Sequence, residues 1–321
     1  MDDPRRLYEC LLDYCSSAQK IERITIGQVW TVCETQSQNR ISSGLAMTPP
    51  VATRTLRWPG TLVGKSLKDI GKWVLEWEPY QASLGMAVIN SSINHNITRP
   101  QGHVLEVQAG AANLTVFEHF LPLTHNQKVV VIGHYPGIEH YVDNYGWQVL
   151  ERNPQTGDYP DPACEFLLPE ADWVFLSAST IPNKTFPRLA ELSRSAKTVL
   201  MGPTTPWLPE LHDFGIDYLA GVETVDSKAL YQTAAEGGGV RIFEIGVRYN
   251  ILELSDELSL QWLKQSISDS YSLKQRLSIA MEQWYEVGQT KRYPQFVELN
   301  DVNLALSRMD SAYKKLWDKQ Q

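Results

Sequence analysis

The chain has 321 residues with a formal net charge of −8, 43% of them hydrophobic and 21% charged, which is long enough for two domains because single cores stop growing near this size. No apolar stretch reaches the roughly 20 residues that cross a bilayer, so no membrane span is expected, and an acidic balance without a Lys/Arg cluster argues against a nucleic-acid partner. The four cysteines Cys10, Cys15, Cys33 and Cys164 include no Cys-x-x-Cys pair, and with no secretory apolar core at the N-terminus the expected compartment is cytoplasmic.

Residues 5 to 18 place Leu7, Leu11, Tyr14 and Ala18 on one stripe, which predicts an amphipathic opening helix. Alternation at Ile24, Ile26, Trp30 and Val32 between Arg23 and Glu34, with a further short strand at Arg54 to Trp58, predicts an antiparallel meander. Ser66 followed by Asp69 has capping-box spacing, with Leu67, Ile70 and Val74 on the buried stripe. Pro79 opens a second helix expected to run to Asn94.

From Lys128 the pattern changes. The run Val129 to Ile132 is uninterrupted, apolar and β-branched, which predicts a strand buried on both faces as in parallel sheets. Strands are expected again at Trp147 to Leu150, Trp173 to Leu176, Val199 to Met201 and Tyr218 to Ala220, with Leu189 and Leu192 on an intervening helix. After Asn250 the pattern turns helical, with one stripe at Leu273, Leu277, Ala280, Met281 and Trp284 and another at Val302, Leu306, Met309, Tyr313 and Leu316. These stripes read as packing surfaces, against the body or in a homo-oligomer contact. The expected division is residues 1–122 as an α+β domain, 123–250 as a doubly wound α/β domain and 251–321 as a helical C-terminal extension.

In doubly wound sheets ligands bind beyond the carboxyl ends of the strands, so the turns there are the candidate site. Gly133-His134-Tyr135-Pro136-Gly137 follows the first strand but is only Gly-x-x-x-Gly, and Pro136 removes an N–H that a phosphate would use, so a dinucleotide fingerprint is absent. Glu151 closes the second strand where it can accept ribose hydroxyls, or stands as a solvated strand-end charge. Thr180, Asn183 and Thr185 follow the third strand, Thr185 in an N-cap position and the other two with no obvious local duty. Gly202 and Pro203 follow the fourth. Asn90 and Asn94 share a helical face, either lining the cleft or forming a hydrogen-bonded domain contact. The seven histidines show no His-x-x-x-His or His-Glu-x-x-His spacing, which leaves His134, by its place in the turn, as the metal candidate. No Gly-x-Ser-x-Gly elbow is present, and whether the chain is an enzyme stays open.

The segments Ser83 to Asn94, Val130 to Pro136, Glu165 to Asp172, Thr180 to Thr185 and Gly202 to Pro209 resemble, in order, successive motifs of the putative heavy-metal chelation family. The resemblance spans roughly residues 5 to 245. It implies an α/β protein built from an α+β enolase N-terminal-like domain and a Rossmann-like parallel-sheet domain, with a site between them and with handling of a heavy-metal ion or metal complex. It implies no enolase chemistry, because the barrel that holds that chemistry has no counterpart here. The leading functional expectation is a small-molecule or metal-complex ligand bound in the interdomain cleft. Two rivals stand beside it: an enzyme using S-adenosylmethionine or a nicotinamide cofactor anchored at Glu151, and an oligomeric scaffold assembled through the Val302 to Leu316 stripe.

Overall fold

The computed structural model describes residues 3–37, 40–52, 56–106 and 112–319. The opening stripe forms helix α1 (Arg5–Asp13), burying Leu7, Tyr8 and Leu11. It is shorter than the stripe, since Tyr14 is already its C-cap. A three-stranded antiparallel sheet follows in the order β1 (Ile21–Ile26), β2 (Trp30–Ser37), β3 (Arg40–Met47). The third strand therefore lies earlier than Arg54 to Trp58; Arg54 and Thr55 fall outside the described residues, and 56–58 carry no strand. The small residues of β3 give a weak strand signal, but helix packing requires them. A Cβ at Gly44 would sit 2.0 Å from the Ser91 backbone nitrogen.

Ser66 caps helix α2 (Leu67–Gly71) by accepting the Asp69 N–H at 3.1 Å. Helix α3 (Pro79–Asn96) starts on Glu78, whose carboxylate accepts the N–H groups of Tyr80 and Gln81. It is buried from Ala82 through Ile93 on every face, as befits a helix held between two layers. Gly85 makes this possible, because a Cβ there would meet the Val74 nitrogen at 2.3 Å.

The remaining elements are β4 (His103–Val104), α4 (Thr115–Phe120), β5 (Val129–Ile132), α5 (Glu139–Tyr145), β6 (Gln148–Glu151), β7 (Tyr159–Pro160), α6 (Cys164–Leu167), β8 (Trp173–Ser177), α7 (Phe186–Leu192), β9 (Lys197–Met201), β10 (Tyr218–Thr224), α8 (Ser227–Ala235), α9 (Ile242–Ile245) and β11 (Val247–Glu253). They form an eight-stranded sheet in the order β4-β11-β10-β9-β8-β5-β6-β7, parallel from β10 to β7 and antiparallel at β11 and β4. The run Val129 to Ile132 is buried throughout, its side chains feeding both faces of the sheet. One apolar cluster joins Val130, Val174 and Leu200 to Leu7, Leu84 and Ile89 of the N-terminal elements, and the other packs Val131, Phe175 and Met201 against Phe117 and Tyr141.

The chain does not turn helical at Asn250, which lies inside β11. Helix α10 (Asp256–Glu286) begins on the Ser255 cap and pairs with α11 (Phe296–Lys319). Val302, Leu306, Met309 and Leu316 are buried with Leu263 and Leu277 of α10, so that stripe is covered within the chain. Helix α11 also returns to the body. Asp301 accepts the N–H groups of Ser17 (2.6 Å) and Ala18 (3.0 Å), and the Arg308 guanidinium lies 3.4 Å from the Tyr14 ring centroid and 3.4 Å from Glu210 Oε1. Among the described residues no helix is long and apolar enough to cross a membrane.

Candidate functional site

Strand order decides where a ligand can reach the backbone. From β5 the chain runs outward through β6 and β7, then returns to the other side of β5 for β8, β9 and β10. In open α/β sheets ligands bind beyond the carboxyl ends of the strands at such a reversal, which makes the turns after β5 and β8 the candidate site.

Gly133 turns the chain out of β5 with φ +103°, its N–H bonded to Leu150 O at 2.8 Å. A Cβ there would make only ordinary contact with Ser177, at 3.5 Å, so glycine is needed for conformation rather than space. The Tyr135 ring packs edge-on against Phe117, and its hydroxyl is buried with no hydrogen-bond partner among the described residues. That burial pushes the phenol up to about 12, with neighbouring Ser177 working against the rise. Pro136 is exposed, and its carbonyl accepts a hydrogen bond from Asn113 Nδ2 at 2.8 Å.

His134 is braced on three sides. Its N–H donates to Glu151 Oε2 (2.9 Å), its Nδ1 faces Asp158 Oδ2 (3.0 Å), and its Nε2 lies 3.3 Å from Glu139 Oε1. The other Glu151 oxygen accepts the Asn153 N–H at 3.1 Å. Each Glu151 oxygen thus accepts a backbone N–H of the adjoining turns, a duty that neither the ribose reading nor the solvated-charge reading included.

On the second wall the Ser177 and Ser179 hydroxyls meet at 2.9 Å. Thr180 and Asn183 do have local duties. The buried Thr180 hydroxyl donates to Ser177 O at 2.6 Å, and Asn183 Oδ1 accepts from the Thr185 N–H (3.1 Å) and hydroxyl (2.7 Å). Thr185 occupies the N-cap position of α7, yet its side chain makes no capping bond.

The third wall joins the N-terminal elements to the sheet. Gly202 leaves β9 with φ +103°, and a Cβ there would find nothing within 4 Å although the segment through Pro203 is buried. Asn90 Nδ2 donates to Leu45 O (2.8 Å) and Thr204 O (2.9 Å), while its Oδ1 is buried without a partner among the described residues. The Thr204 hydroxyl accepts the Met47 N–H at 2.9 Å; the neighbouring Thr205 hydroxyl is buried and unpartnered. Asn94 only ties α3 to β3, donating to Ser43 O at 2.9 Å. The two asparagines that share a face thus divide the alternatives, Asn90 bridging to the strand ends and Asn94 bracing the helix. Sequence reasoning missed Asp158, Glu139 and the Thr205 hydroxyl. Nothing in linear spacing links the two acids to His134, whereas Thr205 lies inside a motif whose residues all looked alike.

These residues do not make a cage for a bare heavy-metal ion. Among the described residues no group of three or more His, Cys, Asp or Glu side chains is arranged to hold one. The two ring nitrogens of His134 face two different carboxylates, so the donors do not converge. Soft metals favour thiolates, but burial pushes the Cys15 thiol up to about 12 and raises Cys10 and Cys33 as well.

Two cavities, of about 340 and 450 Å³, open at the opposite, amino end of the sheet, beside Arg194, His212 and Gly215. Their charges are largely matched in place, His212 facing Asp256 and Lys319 paired with Asp213. Of the buried polar atoms without partners among the described residues, Asn90 Oδ1, the Tyr135 hydroxyl and Thr205 Oγ1 lie at the carboxyl end and Thr198 Oγ1 at the amino end, a balance that favours the carboxyl end as the candidate.

Residues 115–253 match a family model described as "Putative heavy-metal chelation", and residues 8–93 match a second model of the same description. Helices α10 and α11 lie beyond both matches. An uncharacterized protein of Methanocaldococcus jannaschii is 40% identical over 88 residues, which are 26% of this chain and 34% of that protein. The chain thus spans about a third of the length of that curated relative. A solved structure of a protein with unknown function from Desulfitobacterium hafniense, of the DUF364 family, is 27% identical with a TM-score of 0.64, covering 79% of this chain and 99% of that one. Another of the same family, from Pyrococcus horikoshii, has a TM-score of 0.63 at 20% identity over 78% of this chain and 99% of its own, a likeness of fold.

Proposed function

The chain belongs to the family described as "Putative heavy-metal chelation", and from that premise we propose that it binds a small polar ligand at the carboxyl ends of β5, β8 and β9 against α3. A metal ion already complexed by an organic molecule falls within that class. The observation that carries the reading is the set of buried polar atoms without partners at this end of the sheet: Asn90 Oδ1, the Tyr135 hydroxyl and Thr205 Oγ1. An unsatisfied buried group costs about 1–3 kcal/mol, and a ligand that supplies donors and acceptors relieves that cost. Gly202 supports the same reading, because a Cβ there would find nothing within 4 Å and the strand-end backbone is open to close approach.

Chelation of a bare ion has less support, since neither the carboxylates around His134 nor the buried thiols converge on one point. A metal that arrives complexed brings its own donors and asks the protein only for hydrogen bonds. Equilibrium dialysis of the full chain against nickel(II) alone and against nickel(II) citrate tests this. Retention of the citrate complex and not of the ion, weakened about tenfold by Thr205→Val, is the expected result. Retention of the bare ion in preference to the complex would overturn the proposal.

A further inference from the structure

The two cavities at the amino end of the sheet share a wall made by Arg194, His212 and Gly215, so Arg194 borders both. The first, of about 340 Å³, is bounded elsewhere by Arg6 of α1, Asp213 of the turn at Pro209–Phe214, Asp256 at the start of α10 and Lys319 at the end of α11. Its walls thus come from both ends of the chain. The family matches stop at residue 253, so the part formed by Asp256 and Lys319 is supplied by the C-terminal helices that lie beyond them.

Every carboxylate lining these cavities is engaged within the fold. Glu191 pairs with Arg188 at 2.9 Å, Asp256 lies 3.4 Å from His212 Nε2, Asp217 pairs with Lys197 at 2.8 Å, and Asp172 accepts the Lys128 N–H at 2.8 Å. Asp213 holds two ammonium groups at once, Lys315 at 2.7 Å and Lys319 at 2.5 Å. The cations are not used up in the same way. Neither Arg6 nor Arg194 has a carboxylate within ion-pair distance among the described residues. The Arg6 guanidinium lies 5.7 Å from the centroid of the Phe214 ring, which lines the same cavity and gives the group a face to rest on. In a chain of net charge −8, the first cavity is therefore a place of local cation excess, with two unpaired guanidinium groups and two ammonium groups sharing one carboxylate.

We propose that this cavity is a second site, which takes a small molecule carrying two or more oxyanion groups, a polyphosphate or a dicarboxylate, between Arg6 and Arg194. A guanidinium presents its N–H groups as a planar fork that a phosphate or carboxylate meets with two parallel hydrogen bonds. Two such groups on one cavity suit paired oxyanions better than a single one, and the volume falls in the range of small-molecule sites. An anion held there also draws on Lys319, which ties the end of α11 to α1 and to the turn after α7. The proposal goes beyond the ligand reading above, since it concerns the opposite end of the sheet and uses none of the cleft residues.

Isothermal titration calorimetry of the full chain at low ionic strength, with pyrophosphate in one series and succinate in another, tests the assignment and tells the two sources apart. The wild-type protein should bind at least one of them at a single site, and Arg194→Gln should weaken that binding at least about tenfold, the loss expected when a charge-assisted pair of hydrogen bonds is removed. Arg6→Gln should weaken it as well. Arg276→Gln removes the same charge from the exposed surface of α10, about 30 Å along the helix from Asp256, and should leave the affinity unchanged. Binding of neither anion, or a loss in Arg194→Gln no larger than in Arg276→Gln, would overturn the proposal. Thr205→Val should leave both titrations unchanged while weakening the ligand of the cleft, so the failure of one reading is told from the failure of the other.

Discussion

Thr204 and Thr205 are adjacent, buried and alike in sequence, yet the structure assigns them opposite responses to the same change. The Thr204 hydroxyl accepts the Met47 N–H, so Thr204→Val leaves that donor without a partner and should destabilise by about 1–2 kcal/mol. The Thr205 hydroxyl has no partner among the described residues, and its Cβ already lies 3.3 Å from where a Cβ on Gly221 would stand. Thr205→Val keeps the shape and removes an unsatisfied group, so the free protein should gain about 0.5–1 kcal/mol. For a chain of this size that is a rise in Tm of roughly 1–3 °C. Urea and thermal unfolding of both variants, with and without the cleft ligand, measure the two effects separately. The ligand should stabilise the wild-type protein more than Thr205→Val. If Thr205→Val is as destabilising as Thr204→Val, its hydroxyl is satisfied within the fold and the reasoning fails.

The long β-branched run at Val129 to Ile132 announced its strand because both faces are buried and no polar residue interrupts it. The strand β3 was misplaced for the opposite reason. Its Ser42, Ser43 and Gly44 are there to let α3 approach, and small residues chosen for close contact look like loop. Asn250 read as the end of the sheet, but it is an interior residue of β11 whose partner is Gly221. The turns of the site were legible because glycine and proline mark strand ends. The duties of the side chains on them were not. Glu151 and Asn183 turned out to bond their own loops, and Asp158 reaches His134 only through the fold.

Further outcomes are expected. Lys184→Gly should stabilise by up to about 1 kcal/mol by relieving the left-handed backbone, whereas Lys184→Ala keeps most of the strain; unfolding in urea ranks the two. The folded amine of Lys184 titrates near 8 and the unfolded one near 10.5, so the unfolded state binds more protons between these values and stability contributed by this residue rises with pH across that window. A stability–pH profile of Lys184→Met should lack that rise. Gly44→Ala forces a Cβ into the backbone of α3 and should cost more than about 3 kcal/mol, seen as loss of the folded circular-dichroism signal at moderate temperature. Arg308→Met leaves Glu210 nearly buried without its cation and should cost about 3 kcal/mol, loosening α11 from α1 before the sheet unfolds, which amide hydrogen exchange in residues 296–319 would register.

The claim that the protein holds a polar ligand or a complexed metal, and not a bare ion, is tested most directly by native mass spectrometry of the purified full chain combined with elemental analysis. Any metal retained should travel with an organic mass, in a fixed ratio, and the two should fall together in Thr205→Val, in line with an affinity about tenfold weaker. A metal ion retained alone, at the same level in the wild type and in that variant, would contradict it.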